Sequence, residues 1–225
     1  MRNILHLLCI SIVVLFATGC SDQDITVYNE HFLDMWAQSL KPYSVDIAFY
    51  GDSRVVLADW EEAFDDSSVV NLGIGGDIVE GTIQRLRLLE ALDVKYCFVA
   101  IGVNNCSKES FSYSDFREKY EILLDGLEDL GITVYVNTIA GVTTANSSFG
   151  HSFVQKMTDN ITEANTIIRE LATERSVNLI DMAALMNNTD NTLKDQYSAD
   201  GIHFTASGNQ LWFDTIRPYI QDLSD

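Results

Sequence analysis

Apolar residues in this chain come in short continuous runs, separated by longer stretches in which they recur every three or four positions. The runs are Val45–Tyr50, broken once by Asp46, then Ser68–Leu72, Lys95–Ile101, Ile132–Val136 and Val177–Ile180. They predict strands of a parallel sheet, which lose in–out alternation because both faces are covered. Between them, Arg54–Phe64 carries Val56, Leu57, Trp60 and Phe64 at helical spacing, and Ile78–Leu89 carries Ile83, Leu86 and Leu89. Ser112–Leu130 is the clearest helix, with Phe116, Tyr120, Leu123 and Leu127 on one face and Gly131 as its stop. A long helix from Phe153 to Arg175 and a final one carrying Leu211, Trp212, Ile216 and Ile220 complete the pattern. Strands alternating with helices predict an α/β fold whose central, mostly parallel sheet has helices on both faces.

The amino end departs from this pattern. Met1-Arg2-Asn3 and the apolar run Ile4 to Phe16 have the build of a signal peptide, short for a membrane span. The run ends in Leu15-Phe16-Ala17-Thr18-Gly19-Cys20, which resembles the lipobox of bacterial lipoproteins, with Ala17 in place of the usual leucine. A leader over residues 1–20, cleaved and lipidated at Cys20, is therefore expected, and with it an exported cell-envelope protein held on a membrane. Secretion is the alternative if Cys20 is not lipidated. Residues 21–41 read as a tether and leading helix and 42–225 as one domain, with Pro42 breaking the chain before the first strand.

At 225 residues and 47% hydrophobic content the chain suffices for one sizeable core. Its 14 basic against 33 acidic residues, a net charge of -19, argue against a nucleic-acid-binding surface, since phosphate contacts need clustered Lys and Arg. Beyond the leader the cysteines are Cys97, in a strand pattern, and Cys106, in the polar segment after it. Bridging them requires the chain to fold back at once, so two free thiols are expected. No His/Cys cluster has metal-ligand spacing, and no metal or cofactor is expected.

Ser53 follows the first strand, where ligands of open α/β sheets gather, and stands where the next helix begins. Free N–H groups there favour negative charge, so Ser53 is either a nucleophile or simply a helix cap. It is not in a G-x-S-x-G elbow, because Val55 stands at the second glycine's place. Gly73-Ile74-Gly75-Gly76-Asp77 makes a tight turn or bares a backbone N–H, such as that of Gly76, toward a site. Asn104, in Gly102-Val103-Asn104-Asn105, makes a turn or aims an amide at an oxyanion. Of the four histidines only His203 has a carboxylate three residues earlier in a turn-like context. Asp200 can take the Nδ1 proton and leave Nε2 as a base, or the two can form an ordinary surface pair.

In order, Gly51-Asp52-Ser53, Gly76, Gly102-Val103-Asn104 and Asp200-Gly201-Ile202-His203 resemble the blocks of the SGNH hydrolases, the GDSL esterase/lipase family, from about Val45 to Tyr219. The resemblance implies a flavodoxin-like three-layer α/β/α sandwich. It also implies Ser53 as nucleophile, His203 as base oriented by Asp200, and an oxyanion hole made by the N–H groups of Ser53 and Gly76 with the Asn104 amide. Asn105 departs from the family's usual aspartate, which leaves the hydrogen bonding around Asn104 open. Asp52 reads as structural. Arg54, Trp60, the run Asn71 to Asp77, Gly208 and Trp212 look most like the compact branch of carbohydrate esterases and platelet-activating-factor acetylhydrolase-like proteins.

That branch implies a serine esterase removing short acyl groups, acetyl first, from carbohydrates or other small alcohols through an acyl-serine. The alternatives are a lysophospholipase or thioesterase with the same residues, an O-acyltransferase of the same type, and a surface lipoprotein that binds without catalysis. A small-molecule or glycan ester and, through Cys20, a membrane are the expected partners.

Overall fold

A computed structural model describes residues 28–64 and 68–224. The leader, Cys20 and the first part of the tether lie outside the described residues. The described chain opens on α1 (Glu30–Leu40), capped by the Asn29 side chain, which accepts the Phe32 N–H at 3.2 Å.

Five parallel strands follow, in the order β2-β1-β3-β4-β5: β1 (Ile47–Gly51), β2 (Val69–Gly73), β3 (Tyr96–Ala100), β4 (Thr133–Asn137) and β5 (Asn178–Ile180). Period two sorts their side chains. Ala48 and Tyr50, Cys97 and Val99, Val134 and Val136 enter one core, while Ile47 and Phe49, Phe98 and Tyr135 enter the other. The first core is closed by α1, α5 (Leu86–Ala91), α7 (Tyr113–Asp129) and α8 (His151–Glu174). The second is closed by α3 (Trp60–Phe64), α9 (Met182–Met186) and α10 (Ala206–Ser224). This is the three-layer sandwich expected, and burial on both faces is why the strands read as continuous apolar runs. In the second core an aromatic row crosses the sheet, with Phe49 stacked 3.7 Å from Trp60 and Phe98 stacked 4.6 Å from Tyr135. Cys97 and Cys106 are buried and unpaired, as expected.

Two predicted helices are each broken. Arg54–Phe64 becomes α2 (Ser53–Val56) and α3, and the carbonyls freed between them are taken by side chains. Asn71 Nδ2, on β2, donates to Val55 O at 3.0 Å and Ala58 O at 3.1 Å, while Trp60 Nε1 donates to Val55 O at 2.9 Å. The break leaves Val56 and Leu57 39% and 62% exposed instead of in the core. The Ile78–Leu89 stretch becomes α4 (Val79–Gln84) and α5, interrupted at Arg85 (φ −95°, ψ 4°), whose side chain turns into the protein. Two further short α-helices were not anticipated, α6 (Val103–Ser107), read as a turn, and α9.

The register sets the site. Gly51 lies beside Gly73 on one side and Ala100 on the other, so the loops after β1, β2 and β3 leave the carboxyl edge at one level. The strand order reverses between β1 and β3, which opens a crevice at their carboxyl ends.

Candidate active site

Ser53 is the first residue of α2, and Asp52 caps that helix, its Oδ1 accepting the Arg54 N–H at 2.9 Å. The turn is close enough to β3 that a Cβ on Gly51 would stand 1.9 Å from the Ala100 carbonyl oxygen, so no other residue fits there without displacement. Among the described residues the Ser53 N–H has no partner. Asp52 is buried, and that burial raises its carboxyl to about 6 against the opposing attraction of Arg54. The reading of Asp52 as structural matches this capping role.

His203 arrives from the far end of the chain on a loop closed by its own backbone. Ser198 and Phe204 form an antiparallel bridge, and Ala199 N–H donates to His203 O at 2.9 Å. Gly201 N–H donates to Ser198 Oγ at 2.7 Å, and its carbonyl accepts Thr143 N–H at 2.9 Å, which fastens the loop to the segment after β4. Within the loop, Asp200 Oδ1 accepts the Ile202 and His203 N–H groups at 3.0 and 2.8 Å, and Oδ2 lies 2.7 Å from His203 Nδ1. Partial burial acts to raise the Asp200 carboxyl, but these hydrogen bonds outweigh it and hold the group at about 2. Ionised, it only accepts, so Nδ1 carries the imidazole proton and Nε2 keeps its lone pair. Nε2 lies 2.9 Å from Ser53 Oγ. The structure thus joins Ser53, His203 and Asp200 in one hydrogen-bonded line that can move a proton off the hydroxyl.

Donors face the same end of the sheet. Gly76 has φ 77°, the left-handed region that glycine enters without strain, and its N–H has no partner among the described residues. Asn104, on α6, donates one amide hydrogen to Asp77 O at 2.8 Å, beside Gly76, and keeps the other. Asn105, the departure from the family pattern, accepts Val79 N–H at 3.1 Å and donates to Glu80 Oε2 at 2.9 Å. An aspartate could not make that donation, so the asparagine suits the glutamate beside it. Asn105 thereby fastens α6 to α4 while Asn104 holds the Asp77 carbonyl, which keeps the two donor loops together.

Sequence reading missed the charged floor under these loops. Asp77 pairs with Arg85 at 2.5 Å, both fully buried, and Arg85 also donates to Leu72 O at 2.9 Å and Gly51 O at 3.3 Å, tying the ends of β1 and β2. A spacing of eight residues across a break in the helix has no period to betray it. It also missed that Arg54 is buried; the one available signal is that an apolar run, Val55-Val56-Leu57, follows the charge directly.

The model of the family described as GDSL-like Lipase/Acylhydrolase matches residues 34–211. Among characterised relatives, the N-acylneuraminate cytidylyltransferase of Streptococcus agalactiae is 23% identical over 177 residues, covering 77% of this chain and 38% of that protein. The human platelet-activating factor acetylhydrolase IB subunit alpha2 is 33% identical over 90 residues, 37% of each chain. The chain thus spans less than two fifths of the length of these relatives. Among solved structures, a GDSL-like lipase of Bacteroides thetaiotaomicron superposes with a TM-score of 0.74 at 15% identity, covering 87% of this chain and all of that one. An acetylxylan esterase of Geobacillus stearothermophilus gives 0.61 at 16% identity, covering 79% and 95%. Since the family model takes in the strands, the loops after them and the histidine loop together, the chain belongs to the GDSL-like lipase/acylhydrolase family.

Proposed function

We propose that this protein is an esterase that removes short acyl groups, acetyl first, from hydroxyls of carbohydrates or other small alcohols, by way of an acyl enzyme on Ser53. The observation that carries the mechanism is the 2.9 Å contact of His203 Nε2 with Ser53 Oγ, whose own N–H has no partner among the described residues. The acetyl preference is supported by the names of the acetylhydrolase and acetylxylan esterase among the similar proteins.

In this reading Ser53 Oγ attacks the ester carbonyl carbon as its proton passes to His203 Nε2, because a neutral hydroxyl is too weak a nucleophile unaided. The carbonyl π pair moves onto oxygen, and that oxyanion is received by the N–H groups of Ser53 and Gly76 and the free amide hydrogen of Asn104. Collapse of the intermediate breaks the bond to the alcohol oxygen, which leaves with the proton from His203. Water then attacks the acyl-serine, again giving its proton to Nε2, and the second collapse releases the carboxylic acid and returns the proton to Ser53. Asp200 stays ionised throughout and stabilises the imidazolium formed at each step.

The test is hydrolysis of p-nitrophenyl esters from acetate to palmitate by wild type and Ser53→Ala. Activity concentrated on acetate and absent from the variant is expected. A long-chain preference favours the lysophospholipase or thioesterase reading, for which exposed Val56 and Leu57 beside the Ser53 helix are the supporting observation. Activity retained in Ser53→Ala overturns the mechanism. The cysteine ending the leader supports a lipid anchor, tested by metabolic labelling with a radioactive fatty acid that Cys20→Ala should abolish.

A further inference from the structure

The residue after the nucleophile is an arginine 6% exposed to solvent. Burying a guanidinium is costly unless its donors are matched, and among the described residues Arg54 has no carboxylate within ion-pair distance. Backbone carbonyls match it instead. Nε donates to Ile202 O at 3.0 Å, Nη1 to Ala140 O at 2.7 Å and Nη2 to Gly141 O at 2.9 Å. The guanidinium carbon also stands 4.8 Å from the centroid of the Phe204 ring.

Ile202 and Phe204 are the two neighbours of His203. Arg54 therefore grips the base-bearing residue from both sides along the chain, while its own N–H, capped by Asp52, belongs to the turn that carries Ser53. Ala140 and Gly141 lie in the segment after β4 whose Thr143 holds Gly201, so the same fork braces the loop from below. Asp200 sets which nitrogen of the imidazole is protonated and how the ring is turned. It does not tie the ring to Ser53.

We propose that Arg54 is a positioning residue that sets the His203–Ser53 distance by clamping Ile202 and Phe204 to the nucleophile turn. The proposal rests on Ser53 and His203 acting as nucleophile and base. A lysine cannot replace it in full, because one ammonium at the end of a flexible stem does not reproduce a planar fork aimed at carbonyls on two segments.

The experiment compares wild type, Arg54→Met and Arg54→Lys in three readouts: kcat and KM for p-nitrophenyl acetate, the rate of covalent labelling by a small organophosphonate, and the long-range ¹H–¹⁵N NMR signals of the His203 ring. Misplacing reacting groups by an ångström costs about 10²-fold, so Arg54→Met should lose about that much in kcat and in labelling rate with KM little changed, and Arg54→Lys should recover part of it. The Nε2 signal of His203 should shift in Arg54→Met while the Nδ1 proton bonded to Asp200 persists. A folded Arg54→Met with wild-type kcat and labelling rate overturns the proposal. If wild type neither hydrolyses nor labels, the reading of Ser53 is what has failed, and the ring signals still decide on Arg54: unchanged in Arg54→Met, they overturn the clamp. Should Arg54→Met not fold, Phe204→Leu removes the ring and leaves the carbonyl bonds; a smaller kcat loss at constant KM is then expected, and an unchanged kcat overturns the proposal.

Discussion

His203 Nε2 lies 2.9 Å from Ser53 Oγ, although 150 positions of sequence separate the two residues. The contact depends on Asp200, which leaves the imidazole no choice of tautomer. Asp200→Asn can present an amide N–H to Nδ1 and so place the proton on Nε2, where it blocks the base. A fall in kcat of about 10⁴-fold with the fold intact is expected from steady-state kinetics and circular dichroism. A loss below tenfold would show that Asp200 does not orient the base.

Among the described residues one amide hydrogen of Asn104 has no acceptor, and neither have the N–H groups of Ser53 and Gly76. Asn104→Ala should lower kcat by about 10²–10³-fold and leave KM nearly unchanged, because the donor acts on charge that develops only in the transition state. A rise in KM at constant kcat would instead mark Asn104 as a ground-state binding residue.

Asn105 donates to Glu80, and Glu80 also meets Lys119 at 3.1 Å. Asn105→Asp restores the family's more usual residue but sets two carboxylates against each other. The variant should be less stable than wild type by about 1–3 kcal/mol, and Glu80→Gln in the same chain should recover most of the loss. Urea unfolding of the single and double variants measures it; additive effects would refute the coupling.

Asp52 gives the fold a pH dependence of definite sign. Its buried carboxyl is raised from 3.8 to about 6, so between those values the folded chain binds a proton that the unfolded chain has lost. The burial cost is complete above about pH 6 and disappears as the pH falls toward 3.8, so this group makes the protein more stable on mild acidification. The interval corresponds to about 3 kcal/mol. Asp52→Asn keeps a good cap and removes the charge, so it should be the more stable chain near pH 7 and lose that advantage as the pH falls toward 4, read from urea midpoints across the range. Asp200 has the opposite sign: its stabilisation is full above the ordinary carboxylate value of 3.8 and is lost as the pH falls from there through about 2.

The parts legible in the sequence are those set by local order. Runs such as Tyr96 to Ile101 announce strands because their side chains pack into one core or the other, and Asp200 and His203 stand three apart on a single turn. What stayed hidden depends on contacts that no helical or strand period marks, most of them between residues distant in sequence. The end of α2 is stabilised by Asn71 and Trp60 taking the Val55 carbonyl, so helical spacing through Val56 and Leu57 is misleading. Likewise nothing near Arg54 reveals that its acceptors lie at Ala140, Gly141 and Ile202.

The long reach from Ser53 to His203 also has a meaning in time. Chains are made at about 5–20 residues per second, so Ser53, the proposed nucleophile, precedes His203, its proposed base, by about 8–30 seconds. Over that interval the first three strands and both donor loops can assemble without any means of activating the serine. On the proposed mechanism, a product cut short before the histidine loop would carry Ser53 without the imidazole that activates its hydroxyl, so the growing chain would stay inert toward esters until that loop has been made.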